Sequence, residues 1–244
     1  LKEAEDIPVI SVKNMYKKFG NFIANDNLNF HVKKGEIFGF LGANGAGKTT
    51  AIKVLCGLSK PTSGTINVAG YDVYTQTEEI KRNIGYMSQK FSLYEDLTVE
   101  ENFRFFTGIY RVHRKEIKLR MKSSLNEAGL WEFRKRLVSS LPLGWKQKLA
   151  FSLATFHKPR IVFLDEPTSG VDPIARRSFW EQIYKATQNG TTVFVTTHYM
   201  DEAEYCNRVS VMEQGKIVAL DNPSELKKQY NVNNMFDLFL KIVR

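Results

Sequence analysis

The run Gly42-Ala43-Asn44-Gly45-Ala46-Gly47-Lys48-Thr49 carries the spacing GxxxxGK followed by Ser or Thr. Glycines at these positions let the backbone curl tightly enough for its N–H groups to face a phosphate, and a helix starting at the lysine adds the positive end of its dipole. In such a loop the lysine reaches the β- and γ-phosphates while the next hydroxyl ligates Mg2+. Gly42, Asn44, Gly45, Ala46, Gly47, Lys48, Thr49 and Thr50 are therefore the candidate contacts to ATP or GTP. A second group supplies chemistry for water: Phe163-Leu164-Asp165-Glu166 ends an apolar run with two acids. Asp165 suits a metal ligand, directly or through water, and Glu166 a general base. The plain alternative for such a pair is a cap on the next helix.

These two stations meet only if the flanking elements deliver them. Ile37-Phe38-Gly39-Phe40-Leu41 reads as a strand leading into the loop, and Ile52, Val54, Leu55 and Leu58 read as a helix leaving it, halted by Pro61. Val9-Ile10-Ser11-Val12, Leu28-Asn29-Phe30-His31-Val32 and Thr65-Ile66-Asn67-Val68 add β character to the opening third, with Lys34-Gly35 as a turn. Ile161-Val162-Phe163-Leu164, Thr192-Val193-Phe194-Val195-Thr196 and Val209-Ser210-Val211-Met212 are almost continuously apolar. Such runs suit strands covered on both faces, hence a parallel sheet with helical crossovers. From Thr98 the texture becomes charged with apolar residues at helical spacing, as in Ile117, Met121, Leu125 and Ala128. The predicted fold class is α/β: a P-loop NTPase core of mostly parallel sheet, an N-terminal antiparallel β subdomain and a helical lobe. One unit over 1–244, with a helical subdomain inserted over 98–150, is the predicted organisation. Pro223 opens a last helical region running through Met235 to Val243, which packs on its own lobe or on a partner.

With 244 residues, 43% of them hydrophobic and 25% charged, the chain has an ordinary globular balance. Its net charge of +9 favours nucleotides, acidic lipid surfaces or nucleic acid. The basic stretches Arg111-Val112-His113-Arg114-Lys115 and Arg134-Lys135-Arg136 lack the interleaved aromatics of a stacking platform, so no specific nucleic-acid partner is expected. Cys56 and Cys206 fall in stretches that read as helical, without nearby metal-ligating companions, and are expected to be reduced thiols on a cytosolic face. No apolar run approaches the roughly 20 residues of a spanning helix, and Leu1-Lys2-Glu3-Ala4-Glu5-Asp6 does not read as a signal peptide. If a membrane is involved, another polypeptide or another segment of a parent chain is expected to cross it.

With these residues placed, nearly the whole chain resembles the nucleotide-binding subunit of ATP-binding cassette (ABC) transporters. The resemblance rests on the phosphate loop, Tyr86-Met87-Ser88-Gln89, Leu141-Pro142-Leu143-Gly144-Trp145-Lys146-Gln147, Leu164-Asp165-Glu166-Pro167-Thr168-Ser169-Gly170-Val171-Asp172-Pro173 and Thr196-Thr197-His198, in that order. It implies ATP and Mg2+ as ligands, with Phe19 stacking on adenine and Tyr16 as the alternative. It implies that Gln89 touches the metal or the attacking water and reports nucleotide state to a membrane partner. Asp172 resembles the acid that communicates between opposed sites, and His198 the histidine that contacts the γ-phosphate. Glu166 then polarises water, and Lys48 with Mg2+ stabilises charge on the transferring phosphoryl. Cassettes of this family act in pairs, each nucleotide sandwiched between one phosphate loop and the partner's signature loop. Leu143 and Gly144 stand at that signature.

The family's usual signature reads Leu-Ser-Gly-Gly, so the serine hydroxyl and the first glycine are absent here. Pro142 is acceptable in a first helical turn, where its missing N–H is unpaired anyway. The lost hydroxyl costs about 1.5 to 3 kcal/mol if it donates to charged phosphate, about ten- to a hundredfold in affinity. This implies a cassette with a complete cis set and a weakened signature, paired as a homodimer, heterodimer or tandem intrachain pair; a conservative structural variant is the plainer reading. The signature variant, Tyr86 to Tyr94 and Thr98 to Phe106 resemble the exporter branch that works with ABC-2 type integral membrane permeases. Phe91, Leu93 and Tyr94 either line the groove for a permease helix or pack internally. The expected location is cytoplasmic, peripheral on the inner face of the membrane. A soluble ATPase of the same superfamily, acting in translation or DNA maintenance, is the alternative; a small-molecule kinase is disfavoured because no acceptor pocket announces itself.

Overall fold

The computed structural model describes residues 7–90, 92–110 and 112–243; the run Leu1 to Asp6, Phe91 and Arg111 lie outside the described residues. The strands are β1 (Ile10–Phe19), β2 (Phe22–Val32), β3 (Ile37–Gly42), β4 (Ser63–Val68), β5 (Tyr71–Asp72), β6 (Ile84–Met87), β7 (Ile161–Asp165), β8 (Thr192–Thr197), β9 (Arg208–Glu213) and β10 (Lys216–Asp221). The helices are α1 (Lys48–Leu55), α2 (Thr77–Asn83), α3 (Val99–Ile109), α4 (Arg114–Glu127), α5 (Leu143–Thr155), α6 (Pro173–Gln188), α7 (Pro223–Gln229) and α8 (Met235–Ile242).

An antiparallel sheet of order β2-β1-β4-β5 packs near a larger sheet of order β10-β9-β3-β8-β7-β6. In the larger sheet only the β9–β10 pair is antiparallel. Every residue of β3, β7 and β8 is buried, which is why their sequences carry no polar alternation. The β1–β2 hairpin extends well beyond the apolar stretches that announce it. Asn14 takes a left-handed conformation (φ 53°) and register shifts between Val12 and Met15 carry the ladder past the polar residues Lys13 and Asn14.

Phe30, Phe38, Phe40, Phe163 and Phe194 fill the space on one face of the large sheet, with Phe40 and Phe194 ring centroids 5.2 Å apart. The other face is covered by Phe151 of α5 and by Phe179, Trp180 and Ile183 of α6. α5 is buried on two sides: Ala150, Phe151 and Ala154 face the sheet, while Leu149 and Leu153 join Val99, Phe103, Met121 and Leu125 of the helical lobe. This shared helix ties the lobe to the core, consistent with its lack of a polar stripe.

Two expectations need correction. α1 stops at Leu55, ahead of Pro61, because Gly57 turns left-handed (φ 67°) and the Leu58 N–H bonds back to the Lys53 carbonyl at 2.9 Å. Leu58 is consequently exposed. The two cysteines are buried free thiols, but they follow helical turns instead of lying within them: Cys56 ends α1, and Cys206 has extended backbone after a 3-10 segment at Met200–Tyr205. Among the described residues no helix is long and apolar enough to cross a membrane.

The lobe meets the core at His157. Its Nε2 lies 3.0 Å from the Ile84 carbonyl oxygen and its ring stacks on Tyr110 at 3.9 Å, while Nδ1 is buried without a partner among the described residues. Burial holds the His157 pKa below the usual histidine value; the bond to Ile84 opposes this, and nearby Arg120 adds to it. The folded state therefore takes up a proton less readily than the unfolded chain. Stability is full above the unfolded value of about 6.5 and falls as pH drops below it towards the lowered folded value. Denaturant midpoints at pH 7.5 and 5.5 should accordingly separate more for the native chain than for His157→Phe; equal separations would mean that other groups carry the acid sensitivity.

Candidate nucleotide site

β3 ends in a tight loop whose shape depends on particular glycines. At Gly47 (φ 101°) a Cβ would stand 2.3 Å from the Ala24 carbonyl oxygen and 2.7 Å from Asn25 Nδ2, so only glycine fits. Asn25, fully buried on β2, donates from Nδ2 to the Gly47 carbonyl at 3.1 Å and braces the loop. Gly45 supplies a second left-handed turn (φ 83°) and has open space on its Cβ side. Asn44 is exposed and Ala46 is buried beneath the loop. α1 starts at Lys48 with no acidic residue in its first turn and no side-chain cap, leaving the N–H groups of its opening residues, Thr49 and Thr50 included, suited to an anion.

Lys48 is almost fully buried and curls over this loop. Its Nζ donates to the carbonyls of Gly42 at 2.7 Å and Ala43 at 3.0 Å, and pairs with Glu166 Oε1 at 3.2 Å. Beside it, Asp165 Oδ1 accepts from Thr49 Oγ1 at 3.0 Å and from Thr196 Oγ1 at 2.8 Å. Burial pushes the Asp165 carboxyl above its usual range, with the Thr196 and Thr49 hydroxyls pulling it back. A hydroxyl and a carboxylate oxygen are the hard donors Mg2+ takes, and a cation there would offset the desolvation the buried carboxylate suffers. The residues therefore fit a magnesium-bound triphosphate.

Glu166 is the meeting point. Its backbone is left-handed (φ 47°), a conformation that costs a side-chain-bearing residue on the order of 1 kcal/mol. Its N–H bonds to Thr196 Oγ1 at 3.0 Å, which anchors the bend. The carboxylate then reaches Lys48, His198 Nδ1 at 2.9 Å and Gln89 Nε2 at 3.3 Å. Strand order explains the convergence. β7 lies between β6 and β8, and β8 lies against β3, so Gln89, Glu166, His198 and Lys48 all leave the carboxyl edge of the same sheet.

The other sequence candidates stand outside this cluster and make no hydrogen bond to it among the described residues. Asp172 caps α6, its Oδ1 accepting from the N–H groups of Ile174 and Ala175 at 3.1 and 3.0 Å. Phe19 sits at the β1–β2 turn, 54% exposed, with Lys17 Nζ 4.5 Å from its ring centroid; Tyr16 is half-buried on β1. Pro142 occupies the cap position of α5, one residue before its first turn. Leu143 is exposed, whereas a Cβ on Gly144 would lie 2.9 Å from the Ala175 side chain, so this glycine lets α5 and α6 approach. Thr196 and Asn25 are the contributors that residue spacing did not single out. The signal for Thr196 was a pair of buried hydroxyls ending an apolar strand.

A phosphate-embracing loop at the carboxyl edge of a parallel sheet, with a metal-type threonine and aspartate behind it, defines the P-loop nucleoside triphosphatases. Residues 25–169 match the family model described as ABC transporter, and the chain belongs to that family as an ATP-binding, ATP-hydrolysing cassette. It is 49% identical over 221 residues to the probable multidrug ABC transporter ATP-binding protein YbhF of Escherichia coli (strain K12), covering 91% of this chain and 38% of that protein. It is 34% identical over 245 residues to the linearmycin resistance ATP-binding protein LnrL of Bacillus subtilis (strain 168), covering 97% and 79%. Among solved structures, an ATP binding subunit of an ABC transporter superposes with a TM-score of 0.87 at 27% identity, over 97% of this chain and 100% of the other. The cassette MJ0796, in a dimeric post-hydrolysis state bound to ADP and Pi, superposes with a TM-score of 0.79 at 27% identity, over 87% and 98%.

Proposed function

We propose that this cassette powers export through an ABC-2 type integral membrane permease, working from the cytoplasmic face of the membrane and paired with a second cassette. In this reading, residues 98–150 form a subdomain within a single 1–244 unit. Thr49, Asp165 and Gln89 would hold Mg2+, which would neutralise charge on the triphosphate. Glu166 takes the proton of the attacking water, and His198, oriented against Glu166 through Nδ1, contacts the γ-phosphate. Lys48 neutralises the transferring phosphoryl, Phe19 stacks on adenine, and Asp172 faces the opposing site. Leu143 and Gly144 present a signature without its hydroxyl to the partner's nucleotide, in a homodimer, heterodimer or tandem chain. The dimeric cassette with ADP and Pi and the relative described as a probable multidrug transporter ATP-binding protein support pairing and export.

The observation that carries the membrane partner is an aromatic ledge formed by the segment that follows Gln89 and by α3. Tyr94 is 44% exposed and Phe105 43%, and their rings meet edge-on with centroids 4.6 Å apart. A notch beside them is lined by Ser88, Leu93, Phe106 and Tyr110. Leu93 packs against both neighbouring cores, so the outward part of the expected groove is Tyr94 with Phe105. Two large exposed rings, one of them on the segment that leads on from Gln89, suit an apolar helix whose seating senses the nucleotide.

Substituting Asp at both Tyr94 and Phe105 should cut co-purification of an integral membrane partner, and transport, at least tenfold, with ATP affinity unchanged within about twofold. Retained membrane association of the double variant would place the permease contact elsewhere on the chain, whereas capture of ribosomes or DNA by the unaltered chain would favour the soluble alternative.

A further inference from the structure

We infer that Glu202 and Thr168 form a positioning pair for the hydrolytic step, acting through the segment that carries Glu166 and Asp172. The inference rests on the assignment of Glu166 and His198 proposed above. Glu202 lies four residues beyond His198 and is fully buried, and among the described residues its side chain makes no hydrogen bond or ion pair to the phosphate loop, Thr49 or Asp165. Its Oε1 accepts from Thr168 Oγ1 at 2.6 Å, and Thr168 is itself fully buried. Its Oε2 is buried without a hydrogen-bond partner among the described residues. The cation facing it is held loosely: Arg176 Nε lies 3.7 Å from Oε1, with the guanidinium carbon 4.0 Å from the Tyr199 ring centroid.

A buried carboxylate with one short bond and a distant counter-ion is a poor way to stabilise a core, since desolvating the charge offsets most of the attraction. An apolar pair of the same volume would serve packing as well. What the pair does provide is registry between an irregular loop, residues 166 to 172, and the start of the 3-10 segment Met200–Tyr205. Residues 166 to 172 run through left-handed Glu166 and Gly170, held by turn bonds from Ser169 N to the Glu166 carbonyl and from Val171 N to the Thr168 carbonyl. The 198–202 segment faces them. Two rungs join the segments, His198 to Glu166 at one end and Thr168 to Glu202 at the other. Arg176, one turn into the helix that Asp172 caps, adds the contact to Tyr199. On the opposite side, buried Gln147 of the signature helix α5 donates to the Pro167 carbonyl. Without the Thr168–Glu202 rung, the His198 contact is what aligns the carboxylate of Glu166 from this side among the described residues, and the helix capped by Asp172 is tied to the 198–202 segment through Arg176 alone, which reaches Tyr199 and Asp201.

The test uses the full chain and the substitutions Thr168→Val, Thr168→Ser and Glu202→Gln. Equilibrium binding of a fluorescent ATP analogue should stay within about twofold for all three. Single-turnover hydrolysis should fall about tenfold in Thr168→Val and in Glu202→Gln, at matched thermal stability, and Thr168→Ser should recover to within about threefold because it restores the hydroxyl. Wild-type hydrolysis in Thr168→Val and Glu202→Gln would overturn the inference. So would parallel losses of binding, hydrolysis and stability that Thr168→Ser fails to rescue, since those mark a purely structural role. Failure of the underlying site assignment gives a different signature: Glu166→Gln would then hydrolyse ATP normally.

Discussion

Lys48→Ala is expected to weaken ATP binding by roughly a hundredfold or more and to bring turnover to background. A charged hydrogen bond to phosphate contributes about 1.5 to 3 kcal/mol, and this ammonium can make more than one. Loss of about 3 kcal/mol corresponds to roughly a hundredfold in affinity. The structure adds a second cost. Lys48 is the cation beside Glu166 and the donor to the carbonyls of Gly42 and Ala43, so its removal leaves a nearly buried carboxylate facing the site without that charge. Lys48→Arg should lie between, because a planar guanidinium does not reproduce a point charge fitted to the Gly42 and Ala43 carbonyls. Equilibrium nucleotide binding with and without Mg2+ checks this; native affinity in Lys48→Ala would mean that the triphosphate binds elsewhere.

Glu166→Gln should separate binding from chemistry. The amide keeps the size of the side chain and an oxygen that can still accept from Lys48, so nucleotide affinity is expected to change by less than about threefold. The proton abstraction proposed for Glu166 is lost, and loss of a general base typically costs about 10²- to 10⁴-fold in rate. The bend at residue 166 is set by its backbone bond to Thr196 and survives the substitution. Phosphate release in a single turnover is the measurement. A rate within a few fold of the native chain would place the base on another residue.

The chemistry that neighbouring residues create among themselves was legible in the sequence. The phosphate loop needs glycines, a lysine and a threonine in one continuous stretch between a strand and a helix, and each of those demands is local. The buried strands were visible for the same reason, because residues covered on both faces leave an unbroken apolar run in β3, β7 and β8. That the stretch proposed as the signature has proline where the family usually has serine was also legible, although the cap position of Pro142 and the packing of Gly144 on Ala175 came only with the tertiary structure. Tertiary structure alone decided which distant groups meet. Lys48, Gln89, Glu166 and His198 touch because strand order places their segments on one edge, a property of long-range pairing that no short window contains. Thr196 becomes a bracket for both acids, and Glu202 a rung to Thr168, by the same route. Where α1 stops was settled by a glycine whose left-handed turn closes a hydrogen bond, overriding the proline beyond it. Backbone demands are written in adjacent residues, whereas side-chain partnerships arise only once the sheet has brought remote strand ends together.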